Sequence, residues 1–121
     1  MADNKGYIIN ADDKGSVNIS DEVVAIIAAT AATEVEGVHG LFISHGKEVT
    51  RVQGKRGLSK GIKVIIESNE VTIDVNVMAD MGCSVHEVGA QVQRAIITAV
   101  EDAVGIKVST VNVNICGISL S

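Results

Sequence analysis

Apolar residues recur along this chain with two periods, and the periods mark its elements. From Val23 to Val35 the set Val23, Val24, Ile27, Ala28, Ala31 and Val35 falls at helical spacing. Ser20 stands where an N-cap belongs, and Asp21 and Glu22 suit the positive end of a helix dipole. Gly37 reads as the C′ residue that ends this first helix. A second helix opens on Ser84-Val85-His86-Glu87, a capping box in which the Ser84 hydroxyl can accept from the Glu87 amide. Its apolar stripe is Val85, Val88, Val92, Ile96, Ala99 and Ala103, and Gly105 terminates it.

Elsewhere the period is two. Ile62, Val64 and Ile66 form one row, and Val71, Ile73, Val75 and Val77 form another, with Ser68-Asn69-Glu70 as the turn between them. Thr72, Asp74 and Asn76 occupy the opposite face of the second row, so only one face of this sheet is buried. Val111, Val113 and Ile115 alternate with Asn112 and Asn114 in a last strand. Strand, helix and strand make a crossover, which predicts that Val71–Val77 and Val111–Ile115 run parallel. Tyr7–Ile9 and Ser16–Ile19 flank the turn-rich ADDKG as a short hairpin, and Val38–Ile43 reads as a strand leaving the first helix. Residues 44–61 lack apolar periodicity and read as a loop, with one helical turn at Glu48–Val52. The expectation is a single α+β domain over residues 1–121, flexible at residues 1–6. Its order is (ββ)αβββαβ, with two helices packed on one face of a small mixed β-sheet.

Composition sharpens this picture in two ways. The chain is 46% hydrophobic with one Tyr, one Phe and no Trp, so its core is built from Val, Ile and Ala. The stacking platforms that nucleic-acid-binding modules use are therefore missing. Net charge is −5, unevenly spread. Lys47, Arg51, Lys55, Arg56, Lys60 and Lys63 crowd into one segment with a single acid, Glu48, leaving a body of −10. Such asymmetry marks a candidate partner-binding segment.

Candidate chemistry is sparse. No G-x-S-x-G, P-loop or G-x-G-x-x-G occurs. Ser44 and His45 are adjacent, which does not make a triad. Cys83 and His86 have C-x-x-H spacing, and His39 and Cys116 are the other candidate ligands, but structural zinc usually needs two clustered pairs. No metal or cofactor is expected. His86 is read as a solvent-facing residue at the second position of its helix, and Cys116 as a small filler. The acid pairs Asp12-Asp13 and Glu101-Asp102 have no apolar surroundings to tune them for acid–base work. Gly54-Lys55-Arg56-Gly57 matches the G-x-x-G loop of KH domains, which makes nucleic-acid binding the alternative function. A KH loop, however, joins two helices, whereas this one precedes a strand, and the acidic body would repel phosphate. Two cysteines are too few for a disulfide framework, and MADNKGYIIN lacks the regions of a signal peptide. These features together predict a cytoplasmic protein.

Three stretches, taken together, resemble the alkaline shock protein family, the envelope stress response proteins of Gram-positive bacteria. The first runs from Gly15-Ser16-Val17-Asn18-Ile19-Ser20-Asp21-Glu22-Val23-Val24 to Ala32-Thr33-Glu34-Val35-Glu36-Gly37-Val38. The second is Gly61-Ile62-Lys63-Val64 with Val71-Thr72-Ile73-Asp74-Val75. The third joins Val92-Gln93-Arg94-Ala95-Ile96, Val104-Gly105-Ile106-Lys107-Val108 and Val111-Asn112-Val113-Asn114-Ile115. The resemblance implies a non-enzymatic cytoplasmic scaffold or adaptor in envelope homeostasis or alkaline stress. Its partners would be proteins, among them a membrane-anchored partner and further copies of itself. It would insert no segment of its own into the membrane. The family has no catalytic residues to carry over, and its variable central segment leaves the GKRG loop unexplained.

Overall fold

The central strand of the sheet is the run of alternating valines read from the sequence. A computed structural model describes residues 6–12, 14–45, 48–51, 62–67 and 70–120. Its elements are β1 (Gly6–Asp12), β2 (Gly15–Ser20), α1 (Asp21–Thr33), β3 (Val38–His45), β4 (Glu48–Arg51), β5 (Ile62–Glu67), β6 (Glu70–Asp80), α2 (Val85–Val104) and β7 (Val108–Ser119). β1 and β2 form a separate antiparallel hairpin. The other five strands share one mixed sheet around β6.

One edge of β6 is lined end to end by two antiparallel partners. β5 pairs from Ile62↔Val75 to Glu67↔Glu70, and β3 continues from Leu41↔Val77 to Val38↔Ala79. The other edge carries β7 over almost its whole length, from Val71↔Val108 to Asp80↔Ser119, and this pairing is parallel as the crossover requires. Val71, Ile73, Val75, Val77 and Ala79 are fully buried on the helix side of β6. Val71, Ile73, Val75 and Val77 form one core with Val24, Ala28 and Ala32 of α1 and with Val88, Val92, Ile96 and Val100 of α2. On the other face β6 presents Thr72, Asp74, Asn76, Met78 and Asp80, all half-buried. The α+β class and the single buried sheet face are thus as expected.

Both helix starts follow their sequence signals. The Ser20 hydroxyl accepts from the Val23 amide at 3.3 Å, and the Ser84 hydroxyl accepts from the Glu87 amide at 3.4 Å. Gly105 closes α2 with a left-handed φ of 80°, its amide donating to the Glu101 carbonyl.

Four details differ from the sequence reading. First, α1 ends at Thr33 with Glu34 as its cap, and Gly37 lies beyond it in the turn to β3 with φ 98°. Second, α1 buries Val24, Ala25, Ala28, Ala29 and Ala32, while Val23 and Ile26 face solvent. Small side chains on the inward face let this helix approach the sheet and α2 closely. Third, the stripe of α2 keeps strict i+4 steps through Val88, Val92, Ile96, Val100 and Val104, so Ala103 is exposed instead of buried. Fourth, Glu48–Arg51 is not a helical turn but β4, paired with Phe42–His45 of β3, which adds one strand to the expected order. Gly6, expected to be flexible, pairs with Ser20 in the hairpin. Residues 1–5, and Ser68 and Asn69 of the predicted turn, lie outside the described residues.

Candidate interaction surface

The six cations singled out by charge are divided by the structure. Arg51 ends β4, and Lys63 is exposed on β5 in register with Asp74 of β6. Lys47, Lys55, Arg56 and Lys60 lie outside the described residues, as does Gly54-Lys55-Arg56-Gly57.

The candidate metal ligands do not converge. Cys83 is exposed in the turn before α2, and His86 is exposed in its first turn. Cys116 is on β7, where its thiol donates to the Val77 carbonyl at 3.3 Å. Burial pushes the Cys116 thiol pKa up, opposed by a backbone hydrogen bond at the same residue. His39 is the extra residue of a bulge, because Val38 and Gly40 pair with the adjacent Ala79 and Met78. The bulge sets His39 Nδ1 3.1 Å from Asp80 Oδ1. Among the described residues no three His, Cys, Asp or Glu side chains come together as a metal would need.

Glu101 has a structural task that its sequence position hid. Its Oε2 accepts from the Val108 amide at 3.0 Å, fixing the turn between α2 and β7. Ser44 and His45 sit in β3 opposite Val49 and Glu48. Asp12 closes β1 opposite Gly15, and Asp13 is outside the described residues.

What the sequence reading missed is the flank of β7. A groove of 350 Å³ runs between α2 and this strand, lined by Val85, Gly89, Ala90, Gln93, Val113 and Ile115, with His86 at its rim. A Cβ on Gly89 would meet nothing within 4 Å, so the helix side of the groove is open. No strand among the described residues pairs with the far edge of β7. Edge strands are usually blunted by charge, proline or shortness. β7 is 12 residues long, and from Val108 to Leu120 the chain has neither a charged residue nor a proline. That gap in the charge pattern was the available signal. Chemically, the surface offers open backbone groups and small aliphatic side chains, which suits recognition of an extended strand.

Comparison with known proteins places the chain in a wider set. Residues 9–120 match the alkaline shock protein 23 family, described as having a cell envelope-related function. The uncharacterized protein YqhY of Bacillus subtilis (strain 168) is 32% identical over 120 residues, covering 98% of this chain and 89% of that one. The uncharacterized protein Spy1535 of Streptococcus pyogenes serotype M6 is 34% identical over 105 residues, covering 86% of this chain and 79% of that one. Among solved structures, a zinc form of MamM CTD is similar in fold, with a TM-score of 0.50, 15% identity and coverage of 82% of this chain and 87% of that one. At that identity the likeness concerns the fold alone. No helix among the described residues is long and apolar enough to cross a membrane.

Proposed function

This chain belongs to the alkaline shock protein 23 family, whose function is related to the cell envelope, and on that footing we propose that it is a non-enzymatic cytoplasmic adaptor in envelope homeostasis. It works by protein–protein contacts, self-association among them, and reaches the membrane through an anchored partner. The observation that carries this reading is the separation of charge. Six cations concentrate between Lys47 and Lys63 on a body of −10. A cation-rich segment of this kind steers and orients an acidic protein surface.

The test replaces Lys55, Arg56 and Lys60 together with Ser and follows the protein through envelope fractionation. The wild type should sediment with the envelope at low salt and leave it at high salt, since exposed charges are screened beyond ~8 Å at physiological ionic strength. The triple variant should stay in the supernatant at both. A wild-type protein absent from the envelope fraction under all conditions would refute the adaptor reading. Retention on nucleic acid, lost in the triple variant, would favour the alternative carried by the GKRG loop.

A further inference from the structure

We propose that the open edge of β7 is a self-recognition surface. Two copies of this chain pair their β7 strands antiparallel about a twofold axis at Asn114, joining their sheets into one. This deepens the self-association included in the adaptor reading, and it rests on that reading only for its biological purpose.

Among the described residues the backbone shows which groups lack a partner. The Val71 and Val77 carbonyls face β7, because they accept from Ser109 Oγ and Cys116 Sγ. The Asp80 amide faces the other way, donating to the Gly37 carbonyl just before β3. Odd-numbered residues of β6 therefore direct their backbone groups toward β7, and even-numbered ones toward β5 and β3. Parallel strands keep the same direction for side chains on the same face. The inward-facing Val111, Val113 and Ile115 of β7 thus turn their N–H and C=O groups away from β6, toward the open edge. Gln93 Nε2 donates to the Val111 carbonyl at 3.0 Å, which confirms this direction and covers the first of the three. Val113 and Ile115 remain. An antiparallel twofold that matches these two residues with each other lies at Asn114.

The occupant follows from complementarity. In this register Val113 of one copy exchanges backbone hydrogen bonds with Ile115 of the other. Both side chains lie on the helix side, where the groove beside Gly89 and Ala90 has room for them. On the outer face Asn114 stands opposite Asn114, and Asn112 opposite Cys116. A chain of net charge −5 repels its own copy, and like charges directly opposite each other destabilise a strand pair. The β7 strip carries no Asp, Glu, Lys or Arg, and neither does the groove lining. Copies therefore meet along this strip without opposing like charges. An antiparallel twofold contact also closes on itself, so it produces a dimer instead of an open fibre.

The test uses Asn114, which is exposed on the outer face and clear of the core. Light scattering should give the wild type a mass twice 12.6 kDa. Asn114→Asp, which sets two carboxylates face to face, should halve that mass with an unchanged circular dichroism spectrum. Asn114→Thr should keep the dimer. In a Cys83→Ser, Cys116→Ser background, Asn114→Cys should form an intermolecular disulfide under mild oxidation. A non-hydrogen-bonded antiparallel pair places its Cα atoms ~4.5 Å apart, within disulfide range. A monomeric wild type would overturn the proposal. So would a dimer that survives Asn114→Asp, or an Asn114→Cys protein that does not cross-link. If salt-sensitive envelope association persists in any of these cases, the adaptor reading stands and only the β7 pairing fails.

Discussion

A Cβ placed on Gly37 would stand 2.7 Å from Val88 Cγ2. The turn that leaves α1 is thus pressed against the first buried residue of α2, and only a hydrogen fits between them. Gly37 also holds φ at 98°, which L side chains rarely adopt. Gly37→Ala combines backbone strain with a contact that a stiff valine cannot relieve. It should destabilise the protein by about 2–4 kcal/mol. Denaturant titration measures this directly, and a loss below about 0.5 kcal/mol would mean the turn relaxes freely.

Val92 is fully buried midway along the α2 stripe. Val92→Asp puts a carboxylate among aliphatic neighbours with no cation to pair it. The expected loss is several kcal/mol, a large part of the 5–15 kcal/mol that holds a typical domain together. Thermal melting reports it. A Tm within two or three degrees of wild type would show that this face of α2 is not the buried one.

Gly89 makes the opposite prediction. It sits inside a helix and its added methyl would enter open space. Gly89→Ala should therefore stabilise the folded chain by about 0.5–1 kcal/mol. The comparison belongs in the Asn114→Asp background, where association contributes nothing to the melt.

Cys116 supplies a pH dependence. Its thiol pKa is raised mainly by burial, so the thiolate is disfavoured. In a Cys83→Ser protein, Cys116 should react with a disulfide reagent more slowly than a free small thiol near neutral pH. The rate should rise with pH, with its midpoint displaced upward. A rate equal to that of the small thiol at every pH would contradict the shift.

How much of this was legible in the sequence depended on how sharply each segment's pattern chose between alternatives. The apolar rows of β6 and β7 and the ends of α2 were readable, because apolar and polar residues alternate in those strands and Ser84 and Gly105 mark the helix, although its stripe runs through Val104 and not Ala103. The face of α1 was not readable. Between Val23 and Ala32 every residue except Thr30 is apolar, so helical spacing fits several stripes equally. The choice is made by the surfaces it meets, which favour the alanines. Glu48-Val49-Thr50-Arg51 has one strongly apolar residue in four, too little to announce a strand. Its strand character comes from the neighbouring β3. The open flank of β7 was hidden for a related reason, since no local pattern says which edge of a strand lacks a neighbour. Of the six cations in the candidate site, clustering in the sequence was the whole signal, and only Arg51 and Lys63 have a place in the described fold.

The alternating direction of the backbone along β6 makes that strand a two-channel reporter in hydrogen exchange. By that alternation the amides of Ile73, Val75 and Val77 point to β7 and those of Thr72 and Asp74 to β5, while the Asp80 amide donates to the Gly37 carbonyl on that same side. Protection of each amide tracks the free energy of the opening that exposes it. Separation of β7 together with α2 would accelerate the first series and leave the second slow. Fraying of β5 or β3 would do the reverse. Neighbouring residues on one strand, a few ångströms apart, would then time the release of opposite halves of the domain.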